Sequence, residues 1–534
     1  MKILGVSPFH DSSAAALDNG VLKHYFREER LSGRKHDAQP FKAVEAILSL
    51  GFRPDVCVVA SPDQLDPTLN VWQQYLGKVT GCREVIDMSN QHHLQHAHLA
   101  YVNGGWDECL VVVIDRVGSR ACGSLREGES IFHFKEGKSQ SIYKNYWSEN
   151  HPPAEQWKEF CDLNKHVEMN WSDLSICRLY EAATTVIDQH PLEAGKAMGL
   201  SAYGDMTAPL FDREGLFPVS DPIEDITRWG ETVAKWRTLH VEKNITFDNH
   251  KPYADVAHAI QREVENAVLK QIERFVHETG VKRVCVTGGF AYNVVANGMW
   301  KSRRPDIQFY FEPNADDGGN SIGAAMCIHQ NETGRRPQPL KNTFYHGITY
   351  DVDVEGAYDI TIKDIAKALH EGKVVGVYQG LSEAGPRALG NRSILANPML
   401  HTTFDRVNDI KKREWYRPYA GCVIKERAGE YFKVPRNFES SAMTESYNVL
   451  TDQLPAITHK DNSSRIQTVD KEDIILYSIL AEFEKLSGIP VLLNTSMNGP
   501  GKPLVEDPDQ AKELFTGSSL DILYFPKQSK ALIK

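Results

Sequence analysis

KILGVSPFHDSSAAALDNGVLKHYF, residues 2–26, decides the fold. KILGVS reads as a strand, PFHD as a polar turn and SSAAALD as a second strand of small residues. Asn19-Gly20 then precedes the apolar run VLKHYF. Asn-Gly between two such runs is a strong hairpin signal, because both residues tolerate positive φ. The order returns further along the chain. LVVVID, residues 110–115, precedes the turn RVGS; ACGSL, an expected turn at Gly128 and SIFHF follow. This places Gly128 over Gly20 and Leu125 over Leu17 without a gap.

Two stacked copies of a strand, a polar turn and a hairpin, each extended by helices, predict an α/β fold. It is the duplicated, ribonuclease-H-like domain of actin-like ATPases, whose two polar turns hold nucleotide phosphates. Two unrelated hairpins in one sheet are the plainer alternative. From Tyr253 to His277 apolar residues recur at helical spacing. The pattern breaks at Thr279-Gly280, and VKRVCVTGGF follows as a buried strand ending in Gly288-Gly289. Asn293 stands at the opening of the next helix. Paired glycines let backbone N–H groups approach a nucleotide closely. Residues 329–342 are polar, contain two prolines and read as an interdomain linker. Beyond them DIAKALHEG predicts a helix and KVVGVYQG a strand. The remaining chain, about 190 residues, is long enough for a second core.

At 534 residues, 41% hydrophobic and 25% charged, the chain is globular rather than disordered or fibrous. A net charge of −11 argues against general nucleic-acid binding but leaves room for a local anion site. The nine cysteines form no CxxC pair, so neither a cysteine zinc site nor a disulfide scaffold is expected. Apolar runs such as VCVVA are strand-sized, and MKILGVSPFHDSS carries no secretory signal. A cytoplasmic location without membrane contact is the expectation.

Three constellations carry chemistry. In His92-His93-Leu94-Gln95-His96-Ala97-His98, His92 and His96 sit four apart, so on a helix two imidazoles could meet one metal ion. Asp115 and Asp317, both at strand ends, are candidates to complete the site. Mixed N/O ligation suits iron, zinc or manganese. A polar helix start, or histidines satisfied in the core, is the alternative. In the first polar turn, His10 could serve as a general base oriented by Asp11, unless Asp11 merely stabilises the turn. Finally, Gly385-Pro386-Arg387-Ala388-Leu389-Gly390-Asn391-Arg392-Ser393 sets two arginines among small residues, with Lys411, Lys412, Arg413, Arg417, His459 and Arg465 further on. That pattern suits a pocket for a small phosphate- or carboxylate-bearing anion. An arginine network bracing loops is the alternative.

These motifs, with GKAMGLSAYG, GGFAYNVVANG, PNADDGGNSIGAA, IKKREWYRP, THKDNSSRIQTVD and PVLLNTSMNGPGKPLV, resemble those of the NodU/CmcH family of O-carbamoyltransferases over almost the whole chain. The resemblance implies an actin-like domain over residues 1–335 and a YrdC-like α/β domain over residues 343–534. It implies that carbamoyl phosphate and ATP form a carbamoyl-adenylate. A hydroxyl of a small molecule, sugar or nucleotide then takes the carbamoyl group and AMP leaves. Residue by residue, it implies a divalent metal on His92, His96, Asp115 and Asp317, and catalysis by His10 with Asp11. Nucleotide contacts fall on Lys196, Gly199, Gly288, Gly289 and Asn293. Carbamoyl phosphate contacts fall on Arg387, Arg392, Lys411 and Arg465, with Lys412 an alternative to Lys411. Because the intermediates react with water, a sheltered passage between the two sites is expected. The chain departs from the family where Asp115-Arg116-Val117-Gly118-Ser119 stands for Asp-Gly-x-Gly-Glu, and Arg116 could touch phosphate or block the site. An actin-like sugar kinase would need the duplicated fold but not GPRALGNRS. A nucleotide-binding scaffold with a dead site is the non-enzymatic reading.

Overall fold

The opening stretch folds as its pattern predicts. β1 (Lys2–Ser7) pairs antiparallel with β2 (Ser13–Asp18), Lys2 opposite Asp18 and Ser7 opposite Ser13. β3 (Val21–Arg27) completes the hairpin, with Asn19 at φ 48° and Gly20 at φ 79°. β4 (Val56–Val59) joins β1 in parallel, and β5 (Glu84–Asp87) joins β4. The order is β3-β2-β1-β4-β5. A second sheet is built from β6 (Glu108–Ile114), β7 (Arg126–Lys135), β8 (Lys138–Trp147), β9 (Glu168–Ser172), β10 (Arg283–Thr287) and β11 (Gln308–Phe311). Its order, β11-β10-β6-β7-β8-β9, repeats the first sheet with β9 added at the edge. Corresponding strands hold corresponding places, so the two hairpins are related halves of one duplication.

These coordinates come from a computed structural model, which describes residues 1–62, 67–148, 153–172, 175–187, 190, 193–205, 245–340 and 345–534.

One detail of the echo is corrected. Gly128 is not a turn; it lies inside β7, where the register against β8 slips between Glu127 and Glu129. A Cβ there would fall 2.5 Å from Ser175 Cβ, which accounts for the glycine. The hairpin turn is Glu136-Gly137, at φ 49° and 82°, nearly the angles of Asn19-Gly20. A glutamate at positive φ sends no turn signal.

Two helices carry the site, His92–Gly104 and Asn320–Thr333. They pack so closely that a Cβ on Gly323 would lie 2.1 Å from the Gln95 carbonyl oxygen. The helix expected over 253–277 runs Lys251–Thr279 and stops at Gly280, φ 72°. The helix Asn320–Thr333 ends at Gly334, so the first five residues of the expected linker are helical.

The chain divides into two compact units, Met1–Lys23 with Ile47–Pro339, and His24–Ala46 with Leu340–Lys534. The segment His24–Ala46 therefore departs from the expected division. Within the second unit, Arg30 donates to the Gly385 carbonyl at 2.8 Å and to Ser382 Oγ at 3.5 Å. No composition shift marks this excursion in the sequence.

The second unit is built on a nine-stranded mixed sheet. Its centre runs from Val375–Tyr378 through Arg392–Ala396, Val491–Ser496 and Ala420–Ile424 to Ser463–Val469. One face is covered by Ile365, Leu369, Leu476, Ile479 and Phe483, the other by residues such as Phe432, Leu454 and Phe515. The expected helix at DIAKALHEG forms as Ile362–His370, opened by a capping box of Thr361 and Asp364. Among the described residues, no helix is long and apolar enough to cross a membrane.

Candidate active site

The 92–98 run opens the helix His92–Gly104, whose first free N–H, that of His92, donates to Ser119 Oγ at 2.9 Å. His92 and His96 thus share one face. Asp115 follows the last residue of β6. Asp317 begins the short turn Asp317–Gly319, which Asp316 caps through the Gly318 N–H. These elements bring four buried side chains together, with ligand atoms within 4.8 Å of one another. His92 Nε2 lies 3.3 Å from His96 Nε2, 3.3 Å from Asp115 Oδ2 and 3.2 Å from Asp317 Oδ1. His96 Nε2 lies 3.4 Å from Asp317 Oδ1. Bonds of roughly 2.0–2.2 Å to one ion hold neighbouring ligand atoms about 3 Å apart, so the spacing fits a shared cation. The donor set, two imidazoles and two carboxylates, fits a divalent transition metal.

Electrostatics supports that fit. Burial alone would push both carboxylates up, and Asp317 raises Asp115 further. The His92 and His96 imidazoles overrule this for Asp115, and His92 with His10 does so for Asp317, holding both well below the usual range. Burial likewise works against protonation of His92, yet Asp317 and the hydrogen bond to Asp115 push it up to about 10. The cluster as it stands balances its negative charge with protons, which is the charge a metal ion would replace. The other two histidines are not part of it. His93 Nδ1 faces Ser130 Oγ at 2.8 Å, and His98 stands edge-on to Phe134. Burial pushes both down to about 4.

His10 lies at the edge of this cluster. Its Nδ1 is 3.0 Å from Asp11 Oδ2 and its Nε2 is 3.5 Å from Asp317 Oδ2. Asp11 holds φ 57°, an uncommon backbone conformation that aims its carboxylate back at the neighbouring imidazole. Burial disfavours the charged ring, but Asp317 and Asp11 push it up to about 9.

The expected nucleotide residues fare unevenly. Gly289 donates its N–H to Asp115 Oδ1 at 3.1 Å, so the paired-glycine turn holds a ligand carboxylate in place. The Asn293 side chain is turned inward. Its Oδ1 accepts from Ala296 N–H at 3.1 Å, and its amide pairs reciprocally with Gln261, both bonds at 3.0 Å. Lys196 and Gly199 lie on the helix Ala194–Leu200, where Lys196 Nζ meets Glu193 Oε2 at 2.7 Å. Arg116 pairs with Glu181, which also holds Arg178 at 2.6 Å.

In the second unit two of the four expected anion-binding residues are engaged by the protein itself. Arg392 is fully buried and stacks on Tyr378, 3.9 Å from the ring centroid. Its five N–H donors all find protein acceptors, among them the carbonyls of Gln379, Gly380, Asn391 and Glu506. Lys411 is spent as well, with Nζ 2.6 Å from the Ser496 carbonyl and 2.9 Å from that of Asn498. Both brace the protein rather than face a ligand. Lys412 does not replace Lys411; it points outward to Asp409. The residue that sequence reasoning left unassigned is Arg413. Burial pushes it down to about 10, helped by Arg417 and Arg387. Burial also drives Arg465 well below the arginine range, helped by Arg387, Arg413 and Arg417. Four guanidinium groups thus act on one another, with Glu414 pairing Arg417 at 3.2 Å. The loop that carries Arg387 is wound on Glu383, whose Oε1 accepts the N–H groups of Leu389, Asn391 and Arg392 at 2.8, 3.0 and 3.2 Å.

One unit is a duplicated α/β fold with a metal-type cluster, and the other carries a cluster of arginines. The carbamoyltransferase N-terminus model matches residues 65–326 and the carbamoyltransferase C-terminus model matches residues 366–530. The chain belongs to the carbamoyltransferase family and is a carbamoyltransferase. Nodulation protein NolO of Bradyrhizobium diazoefficiens is 34% identical over 80% of this chain and 76% of its own length. An uncharacterized protein of Synechocystis is 28% identical over 98% of this chain and 95% of its own. Among solved structures, full-length HypF in its phosphate- and nucleotide-bound form is similar at 15% identity and a TM-score of 0.40. That likeness covers 62% of this chain and 56% of HypF.

Proposed function

We propose that the chain is an ATP-dependent O-carbamoyltransferase. Water cleaves carbamoyl phosphate to carbamate and phosphate, a carbamate oxygen attacks the α-phosphorus of ATP to give carbamoyl-adenylate and pyrophosphate, and the carbamoyl group passes to a hydroxyl of a small molecule, sugar or nucleotide. Residues 343–534, read as YrdC-like, form the adenylate, and residues 1–335, read as actin-like, carry out the transfer. The observation that carries this reading is the enclosure of His92, His96, Asp115 and Asp317 with His10 at its edge.

Asp11 holds His10 Nδ1, which leaves Nε2 to take the proton of the attacking hydroxyl. The hydroxyl oxygen bonds to the carbamoyl carbon while the bond from that carbon to the adenylate oxygen breaks, and AMP leaves with the electron pair. A divalent cation, iron, zinc or manganese, on the four ligands would offset phosphate charge and the carboxylate field that keeps His10 protonated. Arg387, Arg413, Arg417 and Arg465 bind the anionic oxygens of carbamoyl phosphate, with Arg392 and Lys411 holding the surrounding loops. Mass spectrometry of hydroxylated acceptors incubated with ATP and carbamoyl phosphate tests the reading. A single added carbamoyl group, lost in His10→Ala, is the expected product. An added phosphoryl group would point to the kinase reading instead.

A further inference from the structure

We propose that Asn320 turns its side-chain oxygen to the cation held by His92, His96, Asp115 and Asp317, and serves as a fifth ligand. The inference rests on the metal reading above and extends it. Asn320 is fully buried and is the first residue of the helix Asn320–Thr333, three positions after Asp317. The two side chains therefore leave neighbouring positions on one helical turn. The Asn320 amide faces the imidazoles. Its Nδ2 lies 3.1 Å from His96 Nε2 and 3.5 Å from both nitrogens of His92. Its Oδ1 is buried without a hydrogen-bond partner.

That orientation has two costs. A buried amide oxygen left without a donor costs about 1–3 kcal/mol. An N–H aimed at Nε2 occupies the lone pairs through which imidazole binds a metal. A half-turn about the last side-chain bond exchanges oxygen and nitrogen at nearly the same two positions. The oxygen then takes the place now held by Nδ2, 3.1 Å from His96 Nε2. That distance continues the 3.2 to 3.4 Å series among the other ligand atoms. The resulting set has two nitrogens and three oxygens. Five protein donors exceed the four of a tetrahedral zinc site, and an amide oxygen suits harder ions such as manganese.

The test is a Co2+ titration of the metal-free full-length protein, read by the visible absorption of the bound ion. Wild type takes up one equivalent. Asn320→Leu binds at least about tenfold more weakly, and its absorption is more intense because a ligand has been lost. Asn320→Asp, which restores an oxygen, binds at least as tightly as wild type. A Leu variant with wild-type affinity and spectrum overturns the assignment of Asn320 and leaves the four-ligand site standing. Absence of Co2+ binding by wild type overturns both readings. If the Leu variant does not fold, Asn320→Asp decides, and weaker binding than wild type overturns the proposal.

Discussion

The two clusters solve opposite electrostatic problems. Around His92 and Asp317 charges of both signs are buried together, and each stabilises the ionised form of the next. Around Arg465 like charges predominate: Arg387, Arg413 and Arg417 oppose its charge, and Glu414 pairs with Arg417 at 3.2 Å. The first cluster is organised before anything binds. The second holds repulsion that a bound anion would relieve. The proposed cation site and the proposed anion site thus lie in separate units of one chain.

Substitutions can break that contrast. The largest effect is expected at the mixed-charge cluster. Asp317→Ala removes a shared ligand, and carbamoyl transfer should fall about a thousandfold or more, since a metal supplies several kcal/mol at the transition state. Steady-state rates with a circular dichroism check of the fold measure this. Next comes a bracing residue of the second unit. Arg392→Ala strands several buried carbonyls and should destabilise the protein by about 3–5 kcal/mol, read from the denaturant midpoint. Arg465→Met should do the reverse. Removing one of four like charges should raise the melting temperature of the free protein by about 2–4 °C. It should also abolish the rise that inorganic phosphate gives wild type. A lowered melting temperature with the phosphate response intact would erase the distinction between bracing and binding arginines.

The smallest effect is a pH dependence beside the metal-type cluster. Burial holds His98 at about 4, below the ordinary 6.5 of the unfolded chain. Between these values the unfolded state binds a proton that the folded state refuses. The His98 contribution is therefore complete above pH 6.5 and is lost as pH falls toward 4, at up to about 1.4 kcal/mol per pH unit. His98→Phe should flatten the acid limb of the stability curve, measured by denaturant melts across that range. An unchanged limb would contradict a neutral His98.

What the sequence revealed follows from which signals are local. His92 and His96 were legible because helical spacing alone puts them on one face. The first hairpin was legible because Asn19-Gly20 announces its conformation. Its counterpart was not, because Glu136 adopts the same conformation without a residue type that favours it. Arginine direction was also invisible. Arg392 and Arg387 share one glycine-rich stretch, yet tertiary contacts alone turn the first into the carbonyl groups of its own loop. Lys411 and Arg413 stand two residues apart, yet Lys411 is bound by the Ser496 carbonyl while Arg413 lies beside Arg417 and Arg387. The role proposed for Asn320 sends no signal in the sequence, because asparagine is an ordinary residue at a helix start. Trp147, Trp157, Trp171, Trp229 and Trp236 could stack on an acceptor sugar or base, but ordinary packing is the stronger reading of their sequence. Trp147 is covered by Arg178, 4.8 Å from its ring, while Trp229 and Trp236 lie outside the described residues.

The central claim is that four buried ligands hold a cation beside His10 and that this ion is needed for transfer. Release of AMP from ATP in the presence of carbamoyl phosphate and an acceptor measures it directly, before chelation, after chelation and after a divalent ion is returned. The account predicts loss on chelation, recovery on return, and no recovery in Asp317→Asn. Undiminished AMP release from the chelated enzyme, or from Asp317→Asn, would contradict it.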